Sequence, residues 1–130
     1  MRRAGLIGDR VLVALGELFT SLFGSYGLIG RYGGEEFCIA LFGKSIREVE
    51  ILGEQLRASV ASAQGWLPNA EPVTVSVGIA CQKSGDDIDG LMRRADQALY
   101  AAKENGRNRV VNLSNEQNLL QSHRSMSLKA

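Results

Sequence analysis

Two adjacent glutamates lie on a glycine turn between two apolar stretches. The segment Arg31–Phe37 reads RYGGEEF, and the runs on either side of it are both typical of β-strands. Glu35 and Glu36 repel each other, so they are either ordinary solvated surface or a place where a cation binds. Two adjacent carboxylates suit Mg²⁺, which takes one or two carboxylates together with substrate phosphates, and Gly33 and Gly34 would let a ligand approach the backbone closely. The turn therefore predicts a metal–phosphate site, with solvated surface as the alternative.

Cationic side chains gather where a predicted helix ends. Lys103 stands in the last turn of that helix, and Arg107 and Arg109 follow Gly106. The ordinary interpretation is that these charges complement the negative end of the helix dipole. The alternative is that a lysine and an arginine beside a glycine present donors to phosphate oxygens. The residues alone leave both interpretations open.

The composition is that of one globular domain or part of one. Of the 130 residues, 45% are hydrophobic and 22% are charged, which predicts a protein with a core. The net charge of +1 gives no electrostatic argument for binding nucleic acid or an anionic membrane. No apolar run approaches the roughly 18 residues of a membrane span, and no signal peptide is visible. Cys38 and Cys81 are interpreted as buried free thiols in preference to a disulfide. We therefore expect a soluble, cytoplasmic protein.

Hydrophobic spacing predicts the elements that position the charged residues. Apolar side chains recur at helical spacing from Asp9, which stands at an N-cap position, to Phe23. Two strands, Tyr26–Tyr32 and Phe37–Phe42, then flank the Gly-Gly turn as an antiparallel hairpin. The first third of the chain therefore predicts a helix followed by the hairpin that carries the glutamates.

The rest of the chain predicts two helices that alternate with two strands. Ser45 and Glu48 form a capping-box signature that opens a helix closing near Gly65, and strict alternation predicts a strand at Val73–Ala80. The last elements are an acidic lead-in at Asp86, Asp87 and Asp89, a helix with an inner stripe at Leu91, Ala95, Ala98, Leu99 and Ala102, a C′ glycine at Gly106, and a short strand at Arg109–Leu113. The order predicts an α/β or α+β fold with a mixed sheet and flanking helices. We expect a domain at residues 1–113 and a polar, frayed or disordered tail at residues 114–130.

Three motifs in this order resemble the GGDEF family of bacterial diguanylate cyclases. They are the RYGGEEF turn, the VTVSVGIA strand and the segment RRADQALYAAKENGRNRV, together with Gly8-Asp9 at the first helix. The resemblance covers about Gly5 to Val111 and implies a fold like that of nucleotide cyclases and polymerase palms. It also implies condensation of two GTP into cyclic di-GMP with release of pyrophosphate. Two domains would face each other for this reaction, each holding one GTP.

The resemblance assigns roles to residues of this chain. Glu35 and Glu36 would be the catalytic acids and the ligands of Mg²⁺ or Mn²⁺. The nucleotide would be contacted by Gly33 and Gly34 at the turn, by Lys103 and Arg107 at the phosphates, and by Asp9 at the guanine edge. For Asp9 a plain N-cap is the alternative, and one residue can do both. The implied partners are GTP and a second GGDEF domain in a homodimer, with no nucleic acid and no membrane in this segment.

The sequence also departs from the family pattern. The family begins with a strand and a short helix that carry a DxDxFK…ND segment, which supplies a metal-binding Asp, a Lys and a guanine-binding Asn, and the chain starts just downstream of it. Gly5 stands where the family often has a histidine, and Gly24 and Gly27 occupy the Arg and Asp positions of the RxxD product-inhibition motif. The missing strand would lie inside the sheet, between the second hairpin strand and Val73–Ala80. We expect rearranged strands or a second copy to close that gap.

Two functions stay open at this level. The first is the GGDEF domain of a diguanylate cyclase that is active in the full-length protein. The second is a catalytically degenerate GGDEF module that binds GTP or a partner protein. The intact acids Glu35 and Glu36 favour the first function, whereas the missing segment favours the second. We expect the chain as given to be inactive on its own.

Overall fold

A five-stranded mixed sheet organises the chain, with helices on both of its faces. The structure, a computed structural model, describes residues 4–25, 27–31, 36–62, 73–113 and 123–129. The helices are α1 (Ala4–Phe23), α2 (Ile46–Ser62) and α3 (Ile88–Glu104), and the strands are β1 (Gly27–Arg31), β2 (Glu36–Phe42), β3 (Ser76–Cys81), β4 (Val110–Asn112) and β5 (His123–Lys129). The strand order is β1-β2-β5-β3-β4, in which β3 and β4 are parallel and the other neighbours are antiparallel. The predicted fold class, a mixed sheet flanked by helices, is confirmed.

The predicted hairpin is present. β1 and β2 pair antiparallel, with Arg31 opposite Phe37 and Gly30 opposite Cys38. Residues 32–35 lie outside the described residues, so the predictions for Gly33, Gly34 and Glu35 concern residues that the structure does not describe. The pairing of Arg31 with Phe37 nevertheless fixes the positions of the two strand ends that this segment connects.

Helix α1 begins earlier than the sequence predicts. It starts at Ala4, so Asp9 lies inside the helix and its interpretation as the N-cap is wrong. Apolar residues such as Leu6 and Ile7 allow the helix to continue upstream, and Gly8 does not interrupt it. A capping preference is a local and weak signal, which a continuous helical segment overrides.

One core fills the space between the sheet and the helices α1 and α2. Leu15, Phe19 and Phe23 of α1 are fully or almost fully buried. The rings of Phe19 and Phe37 meet edge to face, with 4.9 Å between their centroids and an interplanar angle of 80°, an arrangement that favours aromatic pairs. This contact fixes the start of β2 against α1.

The capping box of α2 forms as predicted. The Ser45 backbone N–H donates to the Glu48 carboxylate at 2.7 Å, and the Glu48 N–H donates to the Ser45 hydroxyl at 3.1 Å. Helix α2 ends at Ser62 in the described structure, and residues 63–72 are not described. The box explains why the helix starts immediately after Ser45.

Strand β3 is buried on both faces, although its alternating sequence is typical of a strand with one exposed face. All six of its residues are buried. Val77 and Ile79 belong to the core beneath α1 and α2, whereas Ala80 packs with α3. The polar or small residues of the alternation, Ser76 and Gly78, therefore face a helix and not solvent. Small side chains let α3 lie close to the sheet.

The C-terminal segment differs most from its prediction. The sequence predicts a frayed or disordered tail after Ser114, but His123–Lys129 forms β5, so the prediction is wrong for these seven residues. β5 pairs antiparallel with β2 on one side and with β3 on the other. It thus occupies the place in the sheet that the resemblance leaves empty. Of the two expected ways to close the gap, a rearrangement of strands is the one that this sheet shows.

The two cysteines form no disulfide, as predicted, but the prediction that both are buried is confirmed only for Cys81. Cys81 is buried at the end of β3, and Cys38 is half-buried in β2. In the part of the chain that the structure describes, no helix is long and apolar enough to span a membrane.

Candidate functional site

Glu36 stands at the start of β2, on the face of the sheet that looks toward α3. Alternate residues of a strand share a face, so Glu36 lies on the same side as Cys38. The Cys38 thiol lies 3.4 Å from the Met92 sulfur of α3. Phe37 and Ile39 point the other way, into the core beneath α1. The half-buried Glu36 carboxylate is therefore directed to the α3 side of the sheet.

Asp96 connects Glu36 with the cationic end of α3. Residues separated by four or seven positions lie on one helix face, so Met92, Asp96 and Lys103 share a face of α3. Burial raises the pKa of the Asp96 carboxyl, the charge of Glu36 raises that pKa further, and the charge of Lys103 lowers it. Both charges therefore lie within electrostatic reach of Asp96. The fold therefore brings the acidic side chain of Glu36 on β2 and the cationic side chain of Lys103 on α3 to one patch of the protein.

The sequence does not predict Asp96 as a site residue. Its Oδ1 atom is buried and has no hydrogen-bond partner among the described residues. An unpaired buried carboxylate oxygen is costly and therefore rare, and a bound ion or a catalytic role is among the explanations for one. The seven-residue spacing between Asp96 and Lys103 is the signal that could have identified it, because this spacing places both side chains on one helix face.

Arg107 lies in a fixed loop immediately after α3. The Gly106 N–H donates to the Lys103 carbonyl at 3.3 Å, and the Arg107 N–H donates to the Ala102 carbonyl at 2.9 Å. These two bonds form a Schellman motif, and the φ of +117° at Gly106 confirms the predicted C′ glycine. Lys103 and Arg107 thus lie at the same end of α3, one before the helix end and one after it.

The structure describes some of the predicted site residues and not others. Glu36, Lys103 and Arg107 are described, and the first two converge on Asp96. Asp9 has a backbone position inside α1, and its side chain is not among those described. Gly33, Gly34 and Glu35 lie outside the described residues. Their roles remain predictions.

The described carboxylates fit a divalent cation only as part of a site that substrate completes. Within the described ranges, no group of three or more His, Cys, Asp or Glu residues could by itself hold a metal ion. Glu36 offers a carboxylate, and the unpartnered Oδ1 of Asp96 lies in the same patch. Hard oxygen donors of this kind suit Mg²⁺ or Mn²⁺, and Mg²⁺ is often held by one or two carboxylates together with substrate phosphates. The donor chemistry therefore agrees with a metal that binds together with a phosphorylated ligand.

Comparison with known proteins gives consistent results. The family model described as "Diguanylate cyclase, GGDEF domain" matches residues 5–109. A diguanylate cyclase of Vibrio cholerae serotype O1 is 42% identical over 103 residues, which are 78% of this chain and 32% of that protein. The diguanylate cyclase DgcM of Escherichia coli K12 is 41% identical over 105 residues, covering 80% of this chain and 25% of that protein. The chain thus spans a third or less of the length of these relatives.

A solved structure also resembles the fold. It is described as the active GGEEF domain of a diguanylate cyclase from Vibrio cholerae, and it aligns with a TM-score of 0.74 at 38% sequence identity. The alignment covers 81% of this chain and 67% of that one. The resemblance therefore extends from sequence motifs to the arrangement of helices and strands.

Proposed function

The chain belongs to the GGDEF domain family of diguanylate cyclases, and from that premise we propose that it is the GGDEF domain of an enzyme that condenses two GTP into cyclic di-GMP with release of pyrophosphate. The domain would comprise residues 1–113 with β5 completing its sheet. The observation that carries the proposal is that Glu36, at the start of β2 on the face toward α3, and Lys103, in the last turn of α3, lie on the same side of the sheet. A carboxylate for a metal and a cation for phosphates are what this reaction needs on the protein side.

Each predicted residue has a task in this proposal. Glu35 and Glu36 hold a divalent cation, which when bound acidifies the attacking 3′-hydroxyl and screens the charge that develops on the α-phosphate. Lys103 presents a point charge and Arg107 a forked donor to phosphate oxygens. Gly33 and Gly34 leave room for the nucleotide at the turn. We propose Mg²⁺ or Mn²⁺ as the divalent cation.

Two copies of the domain are needed, because two GTP molecules react with each other. We propose that each copy holds one GTP and that the copies face each other in a homodimer. Asp9 is proposed as the guanine contact, from its position within α1. The proposal includes no RxxD product-inhibition site, because Gly24 and Gly27 occupy the Arg and Asp positions of that motif.

The test measures cyclic di-GMP and pyrophosphate after incubation with GTP and either Mg²⁺ or Mn²⁺. It uses this chain and, where the reading frame continues upstream, the longer protein. We expect turnover in the longer protein, and Glu36→Gln or Glu35→Gln should lower it by about 10²-fold or more, since each removes charge at the metal. Glu104→Gln, an exposed substitution at the same end of α3 as Lys103, is the matched control and should leave turnover unchanged.

The second candidate function is a degenerate module that binds GTP without turnover. Tight GTP binding by the longer protein without any cyclic di-GMP would establish this alternative. Normal turnover in both Glu35→Gln and Glu36→Gln would instead show that the metal-site assignment is wrong.

A further inference from the structure

Arg57 of α2 contacts the loop that carries Arg107. Its Nη1 donates to the Asn108 Oδ1 at 2.8 Å, although the two residues are 51 positions apart in sequence. We propose that Arg57 is a positioning residue: through Asn108 it holds the loop after α3 so that the Arg107 guanidinium faces the nucleotide phosphates. This inference rests on the proposed function and adds a residue to that site.

The loop needs external support because of its backbone conformation. Three consecutive residues have positive φ, at +117° for Gly106, 63° for Arg107 and 48° for Asn108. Glycine adopts this region freely, but arginine and asparagine pay a steric cost there. Non-glycine residues persist in such conformations only where surrounding contacts determine them.

Those contacts converge on Asn108. Its backbone N–H donates to the Ser76 hydroxyl at 3.2 Å, and Ser76 is only 3% exposed. Its side-chain oxygen accepts the bond from Arg57. One bond thus ties the loop to the buried strand β3, and the other ties it to α2. Asn108 is anchored on both its backbone and its side chain.

Arg57 is itself held rigidly. Its Nε and Nη2 donate to the two carboxylate oxygens of Glu54, at 2.9 and 2.6 Å. This pair is bidentate, which fixes the plane of the guanidinium, and it raises the pKa of Arg57 further above its usual range. The remaining nitrogen, Nη1, is therefore presented to Asn108 in a set direction. A lysine at this position lacks the fork needed to bond both partners.

Arg107 depends on this backbone support. Among the described residues, none accepts a hydrogen bond from its guanidinium or forms an ion pair with it; its backbone N–H donates to the Ala102 carbonyl, and its carbonyl accepts from the Arg109 Nε. The φ values of the loop therefore set the direction in which the side chain leaves the backbone, along the Cα–Cβ bond. A loosened Asn108 would let Arg107 sample directions away from the phosphates, and misplacement of a positioned group weakens its interaction with the ligand.

The experiment compares equilibrium GTP binding in the presence of Mg²⁺ across a set of variants of the full chain. Arg57→Ala and Asn108→Gly should each weaken GTP binding about threefold to tenfold. Asn108→Gly keeps access to positive φ and removes only the side-chain acceptor. Arg57→Lys keeps the charge and should still weaken binding, whereas Arg47→Ala removes the same charge from an exposed site on α2 and should have no effect.

A double-mutant cycle separates positioning from a general loss of stability. If Arg57 acts through Arg107, then Arg57→Ala should have no further effect in an Arg107→Ala background. Binding of guanosine, which has no phosphates, should be the same in the wild type and in Arg57→Ala. An equal loss in both backgrounds, or an equal loss for guanosine and GTP, would overturn the inference.

The outcomes also separate this inference from the proposed function. A wild-type chain that binds GTP, with affinity unchanged by both Arg57→Ala and Asn108→Gly, refutes the positioning role alone. A wild-type chain and longer protein that bind no GTP refute the proposed function and the positioning role with it. If Arg57→Ala does not fold, Arg57→Lys and Asn108→Gly decide the question.

Discussion

The backbone of Gly78 lies directly against the backbone of Leu99. A Cβ atom built on Gly78 would lie 2.7 Å from the Leu99 Cα and 2.5 Å from the Ala95 carbonyl oxygen. These neighbours are backbone atoms of a helix and cannot turn aside as a flexible side chain can. Gly78 therefore sets the distance between β3 and α3, and with it the position of Asp96 and Lys103 above the sheet.

Gly78→Ala should destabilise the protein by about 1–3 kcal/mol, because the added methyl group must displace α3. The matched control is Gly16→Ala in α1, where nothing lies within 4 Å of the added atom. That substitution should leave the free energy of unfolding unchanged or raise it by up to about 1 kcal/mol. Urea denaturation of the three proteins provides the measurement, and equal stability of Gly78→Ala and wild type would contradict the close approach.

A second prediction concerns the ion pair that ties the end of β3 to α3. Arg94 donates to both carboxylate oxygens of Asp86, at 2.8 and 2.6 Å, and also to the Cys81 carbonyl at 2.6 Å. The bond from Arg94 is the main cause that lowers the pKa of Asp86 from 3.8 to about 2. The stabilisation is therefore fully present above the unfolded pKa of 3.8 and is lost as the pH falls toward about 2.

Asp86→Asn should lower the free energy of unfolding by about 1–3 kcal/mol at pH 7, because it removes charge-assisted bonds from a partly buried arginine. The deficit relative to wild type should shrink as the pH falls from 4 to 2. Asp89→Asn is the control, since Asp89 is exposed in the first turn of the same helix. Denaturation curves at several pH values would test this, and a deficit that stays constant down to pH 2 would show that the ion pair is not its cause.

Local signals account for much of what the sequence predicts correctly. The Ser45 and Glu48 capping box and the Gly106 C′ glycine each specify a helix end through contacts within a few residues. The buried stripe of α3 is likewise a matter of spacing along one helix. For the same reason the positions of Lys103 and Arg107 at the end of α3 follow from sequence alone.

The features that the sequence does not predict depend on distant parts of the chain. The segment His123–Lys129 alternates only briefly, with Met126 and Leu128 between polar residues, and its partners Cys38 and Gly78 are remote in sequence. The pKa of Asp96 is raised first by its burial in the fold and second by the charge of Glu36, which lies sixty residues earlier in the sequence. The contact between Arg57 and Asn108 is equally long-range. Tertiary pairing decides such features, and a single sequence does not display it.

A third prediction follows from the buried carboxyl of Asp96. Burial is the first cause of its raised pKa, and the negative charge of Glu36 is the second. A raised pKa means that the folded state binds the proton more tightly than the unfolded state, so the ionised carboxyl opposes folding at neutral pH. Asp96→Asn should therefore raise the free energy of unfolding of the metal-free protein at pH 7.

The gain in Asp96→Asn should disappear as the pH falls below the usual pKa of an aspartate, where the wild-type carboxyl is protonated in both states. Thermal unfolding in the presence of a chelator, measured between pH 3 and pH 7, gives the comparison. Asp87→Asn is the contrasting variant: Asp87 caps α3 by accepting from the Gly90 N–H at 2.8 Å, so its loss should destabilise. A pH-independent effect in Asp96→Asn would show that its charge is not responsible.

The last prediction concerns β5, whose backbone pairs with strands on both sides. Ser127 lies opposite Cys38 of β2 and opposite Gly78 of β3, in the middle of the sheet. Proline has no N–H to donate and is not tolerated in a central strand. Ser127→Pro should therefore lower the free energy of unfolding by at least about 1–3 kcal/mol, the cost of an unsatisfied buried backbone group, whereas Ser127→Ala keeps the backbone bonds and is the control.

Because displacement of β5 leaves the edges of β2 and β3 unpaired, and unpaired edges recruit other strands, Ser127→Pro should also associate at concentrations at which Ser127→Ala does not. Chemical denaturation and sedimentation velocity measure the two effects. A Ser127→Pro protein with the stability and the sedimentation coefficient of Ser127→Ala would show that β5 is not a central strand of the folded protein in solution.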